Sequence, residues 1–554
     1  FLYTRRIGRA PQRGGFVPAS AFDAAGETGT VYTDRPSQTT ILGAAKMTGR
    51  VGAFQVGMLN AVTGEEFGEY AVVDGINSGE TRGQELIEPA TNYLVSRGRG
   101  RVGRTQVGGL VTAVNRAQGN PDVAALLPSQ EYVAGVDFEH ALSDAWVFSG
   151  LAAASRVAGT SESILLQQTA FRRLYQRPDA SHLAVDSSRT ALTGTTAELA
   201  ISKVTGTHWR GSFSAAYTSP GFETNALGFQ TRADQGYLGA SVFYDRPNAG
   251  GPFQRWTANL FGSLGWSMGG DRTHSFIGWG VGADFESFWS ASLTGFASIR
   301  TVNDRFTRGG PLMTDPVQAQ AMLRVNTDQR KLTAGSMYVH GSADEIGGGF
   351  WGGGASLRLR PRPNVSVSVG PDYTRSYTQH QFVTAFDDPA AVSTFGRRYI
   401  FGNILRHDLF VQTRIDWTFS PTVTLQVFAR PLISTGRYRD FRALQRPGQM
   451  ALPVYGAEVG TVQPLEDGAV RIDPEDGGEP FDIGSQDFTF RALQGNAVLR
   501  WEYRPGSTLF LVWQQQRDGF FLNQGRLRGR DLTGLFTDVG QNVFLVKLSF
   551  WLAR

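Results

Sequence analysis

Apolar and polar residues take turns along most of the chain. In "WTANLFGSLGWSM" (256–268) the even positions are apolar or glycine, whereas the odd positions are mostly polar or small. The same alternation recurs in "VSVSVG" (365–370), "LRHDLFVQTRIDWTF" (405–419) and "AVLRWEYRP" (497–505). A period of two belongs to an extended strand, because a helix would place its apolar residues three and four positions apart. The pattern therefore predicts an all-β protein whose strands have one apolar and one polar face.

The alternating segments are long, and several carry aromatic residues near their ends. They run roughly ten to fifteen residues, whereas strands of soluble proteins usually have five or six. Long strands with aromatic ends are typical of a transmembrane β-barrel, which turns apolar side chains to lipid and polar ones to the lumen. Only a closed barrel lets strands cross hydrocarbon without unpaired backbone groups. The residues predicted as lipid-facing or interface anchors are Trp256, Trp266, Trp417, Phe419, Trp501, Phe550 and Trp551.

Short turns and long Gly-, Pro- and Asp-rich stretches alternate between these segments. Traced from "FLYTRRIG" (1–8) to "NVFLVKLSFWL" (542–552), the alternation predicts an antiparallel up-and-down barrel of about 22 strands, with 20 to 24 accepted. We expect one barrel domain over 1–554, both termini in the periplasm, and long outer loops at about 9–38, 160–194 and 437–486. A soluble propeller is the alternative, but the 40- to 50-residue repeat that it requires is not visible.

The amino-acid composition excludes several other classes of protein. The chain has no cysteine, which excludes disulfides and thiolate chemistry, and its 53 basic and 49 acidic residues are scattered. Nucleic-acid binding, which needs clustered basic residues, is therefore not expected. No apolar run approaches the ~18 residues of a spanning helix. Because no signal peptide is visible at the start, we expect a mature or trimmed product from which any targeting segment has been removed.

The predicted lumen face is rich in arginine interleaved with carboxylates. We expect inter-strand ion networks, such as Asp408–Arg414–Asp416, rather than a dedicated substrate site. An open lumen with this wall would favour anionic or hydroxyl-rich solutes. The predicted lumen-lining residues are Arg358, Arg360, Arg406, Asp408, Arg414, Asp416, Arg430, Arg500, Glu502, Arg504 and Lys547.

The sequence contains no clear catalytic or metal-binding motif. The seven histidines are dispersed, with no pair at metal-ligand spacing, and "GTSESI" (159–164) is not a nucleophile elbow. The loop "DPEDGGEPFD" (473–482) is a weak Ca²⁺ candidate through Asp473, Glu475 and Asp476, but its spacing is not that of an EF-hand. A solvated acidic loop is the preferred interpretation. We therefore expect no enzyme, no cofactor and no metal, with an outer-membrane hydrolase as a distant alternative.

One predicted outer loop stands out by its apolar content. "SPGFETNALGF" (219–229) places Phe222, Leu227 and Phe229 around Glu223 and Asn225. A self-packed Ω-loop is the preferred interpretation. A loop that folds into the lumen or contacts a ligand is the alternative.

Several stretches also resemble a known family. They are "FLYTRRIGR", "TTILGAAKMTGR", "VGMLNAVTGEE", "LTAVNR", "LYQRPDASH", "SPGFETNALGF", "TRGGP" and "NVFLVKLSFWL". Together they are similar to a bacterial outer-membrane β-barrel family of unassigned function. The resemblance implies a large barrel, usually preceded by a carbohydrate-binding-like domain of the family 9 module type, which is absent from these 554 residues. It implies no catalytic residues.

These observations favour a porin- or transporter-like conduit in the outer membrane of a Gram-negative bacterium. The solute is expected to be polar, and glycan-related if the resemblance extends so far. Because a barrel of this width cannot be filled by its own side chains, the alternative is a structural barrel that holds a partner protein or anchors a surface assembly. The expected partners are the lipid bilayer, the barrel-assembly machinery during insertion, and a lumen or periplasmic partner protein.

Overall fold

The computed structural model describes residues 6–18, 20–21, 30–73 and 80–551. These residues form 29 strands and three α-helices. The first strands are β1 (Thr30–Asp34), β2 (Ile41–Val51), β3 (Phe54–Thr63), β4 (Glu66–Val73), β5 (Glu80–Glu88), β6 (Thr91–Val102), β7 (Thr105–Arg116), β8 (Gln130–Ala141), β9 (Trp146–Ala158) and β10 (Ala191–Lys203). They are followed by β11 (Trp209–Thr218), β12 (Gln235–Gly250), β13 (Phe253–Trp266), β14 (Arg272–Phe285), β15 (Ser290–Ser298), β16 (Thr301–Asn303), β17 (Met313–Asp315), β18 (Gln318–Asn326), β19 (Thr333–Asp344) and β20 (Gly349–Arg362). The last are β21 (Val365–Asp387), β22 (Arg397–Ser420), β23 (Val423–Ala443), β24 (Thr461–Pro464), β25 (Val470–Asp473), β26 (Phe481–Ile483), β27 (Phe488–Arg504), β28 (Ser507–Leu522) and β29 (Gly540–Ser549). The helices are α1 (Pro121–Leu126), α2 (Ser161–Thr169) and α3 (Gly529–Thr537).

Most of the strands belong to one closed barrel. Among the described residues, 21 strands form it: β2, β3, β6 to β15, β18 to β23 and β27 to β29. The other strands make three small sheets inside the long connections, β1–β4–β5, β16–β17 and β24–β25–β26. The predicted all-β antiparallel barrel is confirmed, and the count lies in the predicted range. The predicted first strand (1–8) lies largely outside the described residues.

Helices contribute little to the fold. None of the helices in the described part of the chain is long and apolar enough to cross a bilayer. Those in the connections are short and locally capped. The side chain of Asn120 accepts from the amide of Val123 at the start of α1, and that of Thr160 accepts from Ser163 at the start of α2. Such caps satisfy amides that have no partner within the helix.

Contacts group the chain into two compact units. The first comprises Phe1–Ser241, Ser263–Thr273 and Arg308–Gly310, and the second comprises Val242–Gly262, His274–Thr307 and Pro311–Arg554. Each unit contains a stretch of the wall with its connections, and each is described by itself below.

The wall of the first unit has two chemically different faces. Val136, Leu199 and Phe213 are large exposed apolar residues on one face. On the other face Asp137 lies opposite Leu151 of β9, which in turn lies opposite Glu198 of β10. In a transmembrane barrel the apolar face is the one turned to lipid, so the exposed apolar face is assigned to the outside and the polar face to the inside.

The wall of the second unit repeats the arrangement over longer strands. Val365 and Val367 lie opposite Trp417 and Ile415, whereas Ser366 and Ser368 lie opposite Asp416 and Arg414. Strand β22 has 24 residues, more than twice the about 9–11 that a tilted strand needs to cross a bilayer. Strands β21 to β23 therefore extend beyond the membrane at the end that carries the long connections.

Candidate functional site

The connection between β11 and β12, residues 219–234 and here called the inner loop, lies on the inner face of the first unit. Its Ala226 and Leu227 pack against Tyr93, Val95 and Val114 of the wall. These wall residues lie on the same face as Arg97, which is the face away from the exposed apolar residues, since side chains alternate along a strand. The loop also bonds within itself, since Asn225 and Gln230 exchange two hydrogen bonds, so the structure combines the expected self-packed loop with the lumen-folded alternative. The physical reason is that the wall offers an apolar inner patch where polar residues were expected.

A buried ion pair holds the inner loop to the connection between β9 and β10, residues 159–190. The Nη2 atom of Arg173 lies 2.7 Å, and the Nε atom of Arg172 2.6 Å, from Oε2 of Glu223. The Glu223 side chain is only 2% exposed. Burial by itself would raise the pKa of Glu223, but Arg173, Arg172 and the amide of Asn225 together lower it to about 2. The carboxylate is therefore charged and fully engaged at neutral pH.

Further contacts attach both loops to the wall and to each other. Arg173 also donates to the carbonyl oxygen of Phe222 at 2.9 Å, and the amide of Glu223 donates to Oγ of Ser155 in β9 at 2.9 Å. Nε2 of His182 lies 2.9 Å from Oδ2 of Asp234 at the far end of the inner loop. The loop is thus fixed along its length.

Two glycines allow the backbone of the inner loop to lie directly against β10. A Cβ atom on Gly194 would lie 2.0 Å from the amide nitrogen of Phe222, and one on Gly221 would lie 2.1 Å from the carbonyl oxygen of Thr193. Any side chain at either position would push the loop away from the wall. Glycine is therefore a steric requirement at both positions.

A cavity of about 290 Å³ remains beneath the inner loop. Its lining combines loop residues Thr224 and Leu227 with the charged pair Arg97 and Asp137 of the wall. In that pair, Nη2 of Arg97 lies 2.8 Å from Oδ1 of Asp137. The inner face of the first unit therefore changes from apolar, where the loop sits, to charged below it.

The inner face of the second unit contains most of the predicted lumen-lining residues. By register, Arg414 and Asp416 lie opposite Ser368 and Ser366, on the face away from Trp417. The same parity along β22, β23, β20, β27 and β29 places Arg406, Asp408, Arg430, Arg358, Arg500, Glu502 and Lys547 on this face. Arg360 lies where the register of β20 with β21 shifts, between Leu359 and Arg362, so parity does not assign its face. Arg504 differs, because a register shift between Glu502 and Arg504 leaves it at the turn beside Ser507.

These charges pair within strands rather than across them. Arg406 binds Asp408 at 2.9 Å, and Arg500 binds Glu502 at 2.9 Å. Asp416 accepts from Nε2 of Gln426 on β23 at 3.1 Å instead of binding Arg414. The predicted inter-strand ion networks are therefore wrong in detail. Residues two apart share a face, so a long arginine reaches its own strand neighbour without leaving the wall.

Other contacts hold single arginines of this face flat against the wall. The guanidinium of Arg430 lies 4.7 Å from the ring centroid of Phe410, a cation–π geometry. Nη2 of Arg358 donates to the carbonyl oxygen of Gln329 at 2.6 Å. The face thus presents fixed positive groups between pairs of opposite charge.

The predicted anchors lie at the apolar face or near strand ends. Trp417 and Phe419 stack with ring centroids 4.4 Å apart, and Phe550 meets Tyr503 edge-on. The remaining contacts are those of Trp256 with the ring of Tyr244, Trp501 with Tyr503, Trp266 beside Gly236, and the Trp551 amide with Oγ of Ser507. Their contact with lipid stays a prediction.

The weak calcium candidate has another role. The carboxylate of Asp476 binds Nη2 of Arg398 at 2.8 Å, and Asp388 binds Nε of the same arginine at 2.6 Å. Asp473 accepts from the amide of Glu475 within the loop. No group of three metal-binding side chains occurs among the described residues. Asp476 thus holds the connection between β23 and β27, residues 444–487 and here called the insert, to wall strand β22.

The insert has its own small core. Tyr455, Ile472 and Ile483 pack against Ile400 and Ala443 of the long strands. By strand alternation Ile400 lies on the face of Arg406. A cavity of about 500 Å³ lies beside Arg398, between the insert and the connection 388–396. The insert is thus attached through both apolar and charged contacts.

The closed antiparallel wall with one apolar and one polar face defines a transmembrane β-barrel. A family model described as a domain of unknown function, DUF5916, matches residues 1–97 and 156–553, and the chain belongs to this family. The resemblance to a family of unassigned function is confirmed to that extent, whereas the carbohydrate-binding-like module stays a prediction. No curated protein matches the sequence.

Two solved structures show a weak likeness to the fold. An anion-selective porin from Comamonas acidovorans has 12% identity and a TM-score of 0.26, over 60% of this chain and 90% of the porin. The ferric citrate transporter FecA in its unliganded form has 8% identity and a TM-score of 0.30, over 87% of this chain and 76% of the transporter.

Sequence reasoning missed the buried pair of Arg173 and Glu223. The available signal was a glutamate surrounded by the apolar residues of the inner loop, together with adjacent arginines at 172 and 173. A buried glutamate requires a cation. The sequence indicated that Glu223 needs a cationic partner, but it did not identify Arg173, 50 positions away, as that partner.

Proposed function

We propose that the protein is a gated conduit for polar solutes in the bacterial outer membrane, with both termini in the periplasm, rather than an enzyme. The observation that carries the proposal is the two-faced wall. Apolar residues form one face, and the other bears fixed charges, among them Arg406, Asp408, Arg500 and Glu502. Such a polar inner surface suits the passage of hydrated solutes.

The inner loop is the proposed gate. It covers the inner face of the first unit through its contacts with Tyr93, Val95 and Val114, and its main polar attachment is the carboxylate of Glu223. Displacing the loop would widen access to the charged pair of Arg97 and Asp137 beneath it, whose side chains are 39% and 32% exposed with the loop in place. Solute passage would then depend on how firmly Glu223 is held.

Conductance of purified protein in planar lipid bilayers tests both parts. Wild-type protein should give discrete current steps with long closed periods. Glu223→Gln, which keeps the shape of the side chain but removes its charge, should increase the fraction of time in the open state at least severalfold. Asp482→Asn is the matched control, because the pair of Asp482 with Arg471 is half exposed and lies in the insert.

The possible results separate the two parts. Steps in wild type that Glu223→Gln leaves unchanged would retain the conduit and reject the inner loop as its gate. Silence of both proteins, after insertion is verified by protease protection, would reject the conduit itself.

The finer part of the proposal is that the solute is glycan-related. Arginine and carboxylate side chains that are fixed in pairs offer paired donors and acceptors, which suit hydroxyl-rich molecules. Linear oligosaccharides added to one side should block the current in a concentration-dependent way. Block by polyethylene glycols of equal size, but not by oligosaccharides, would contradict this assignment.

A barrel that holds a partner protein is the second candidate. The observation that favours it is that the inner loop already packs onto the inner face, as a partly filled lumen would require. It predicts electrically silent protein that copurifies with a stoichiometric second polypeptide in mild detergent. A conducting monomer would exclude it.

A further inference from the structure

Helix α3 packs on the lipid side of the wall, not on its inner side. Its Leu535 is buried with Ile433 of β23 and Leu493 of β27. Strands β23 and β27 pair without a register shift from Val423 and Trp501 onward. Their side chains therefore alternate regularly, and Ile433 and Leu493 lie on the same face as Trp501. That face is apolar and contacts lipid. The helix therefore covers the outside of the barrel wall.

Two arginines on this same face fix the helix in place. Arg491 binds Asp538 at 2.6 Å and Asp531 at 3.4 Å, at the two ends of α3. Nη1 of Arg517 donates to the carbonyl oxygen of Asp538 at 2.8 Å. Charged residues on a lipid-facing side are strongly unfavourable at the bilayer midplane and tolerated near its surface. Their positions therefore mark the membrane boundary.

The distance along β28 supports a position of α3 near the membrane boundary. Arg517 lies ten residues from Ser507, the first residue after the short turn. At about 3.3 Å per residue and a tilt of about 40°, ten residues rise about 25 Å, which is the height of the apolar band of such barrels. Helix α3 thus lies at the upper edge of that band.

The face of α3 that points away from the wall is apolar. Leu532 and Phe536 on the helix are exposed, Phe536 by 67%, and so is Val539 just after the helix, by 91%. They lie on the same side of the wall as Trp513 and Phe544, which stack on β28 and β29 four residues from the paired residues Arg517 and Gly540. Because both surfaces lie on the lipid side of the wall and close together along the chain, lipid that covers the lower one also reaches the upper one.

The segment that leads into the helix is basic. Arg526, Arg528 and Arg530 are all exposed. The carboxylates of Asp531 and Asp538 nearby are engaged by Arg491. A cluster of arginines beside an exposed apolar helix face matches a molecule with acyl chains and a phosphate-bearing headgroup.

We propose that α3 and residues 526–530 form a binding surface for an anionic, phosphate-bearing lipid of the surrounding leaflet. Leu532, Phe536 and Val539 lie among its acyl chains. The three arginines contact its phosphate groups.

Single cysteines can test the acyl-chain contact, because the chain has no cysteine of its own. Phe536→Cys, labelled with a solvatochromic dye in phosphatidylcholine vesicles, should be quenched by lipids brominated near the headgroup and shielded from aqueous iodide. Val546→Cys, on exposed strand β29, is the lipid-facing reference, and Val392→Cys, in the connection 388–396, is the water-facing one. A position-536 label that behaves like the Val392→Cys label would overturn the proposal.

The headgroup contact has a separate test. With 10 mol% brominated phosphatidic acid in neutral vesicles, quenching at position 536 should exceed that given by brominated phosphatidylcholine at equal fraction. Local enrichment should be about fivefold for each arginine that contributes. Replacing Arg526, Arg528 and Arg530 by glutamine should equalise the two lipids. Phosphatidylcholine also carries a phosphate group but has no net charge, so equal quenching in the unsubstituted protein would reject recognition of an anionic headgroup. Abolition of the preference by millimolar inorganic phosphate would assign the site to free anions instead.

Discussion

The inner loop and the insert are both held by arginine–carboxylate pairs, but the two pairs differ in how deeply they are buried. In the first unit, Glu223 and Arg173 have side chains that are 2% and 0% exposed. In the second unit, Asp476 is 50% exposed although its partner Arg398 is buried. The pairing chemistry is the same. What differs is the free energy lost when one partner is removed.

The difference follows from solvation. A buried cation that loses its carboxylate stays in a low-dielectric site without compensation, whereas an exposed partner is replaced by water. Arg398 also keeps a second carboxylate in Asp388. We therefore expect the inner loop to open when its ion pair is lost, whereas the insert should stay attached after the loss of a single charge.

The largest expected effect is that of Glu223→Gln on the inner loop. Removing the charge leaves Arg173 buried and unpaired, which should lower the free energy of local opening by about 3–5 kcal/mol. Hydrogen exchange of peptides from 219–234, followed by mass spectrometry in detergent, measures that change. Peptides from the insert serve as internal control, and faster exchange in both regions would mean global destabilisation instead.

Acid should also weaken the attachment of the inner loop, and at moderately low pH its effect should be smaller than that of Glu223→Gln. The pKa of Glu223 is about 2 in the folded protein against an ordinary 4.5, so its contribution is complete above about pH 5 and disappears as the pH falls toward 2. At about pH 3 roughly 2 kcal/mol should be lost. Exchange of 219–234, corrected for intrinsic rates, should be constant from pH 8 to 5 and rise below 4.5. In Glu223→Gln the rise should be absent.

Strand alternation allowed much of the fold to be predicted from local sequence. Alternating valine and serine at 365–369 sufficed to predict two faces, because each side chain of a strand has only two directions. The loops escaped prediction because their contacts join distant segments. Arg173 and Glu223 meet across 50 residues, and Tyr93 places an apolar residue on a face expected to be polar. Helix α3 escaped because no local pattern reveals which side of a wall a connection covers.

The smallest expected effect is that of Asp476→Asn. Its carboxylate is half exposed, and Arg398 retains Asp388 and the hydroxyl of Tyr455 as partners. Opening of the insert should therefore become easier by no more than about 1 kcal/mol, as for surface pairs. Hydrogen exchange of peptides from 444–487 measures it, with Asp482→Asn as a control in which both partners are about half exposed. A loss comparable to that in Glu223→Gln would show that burial of the arginine alone decides the effect, and the contrast between the two loops would then disappear.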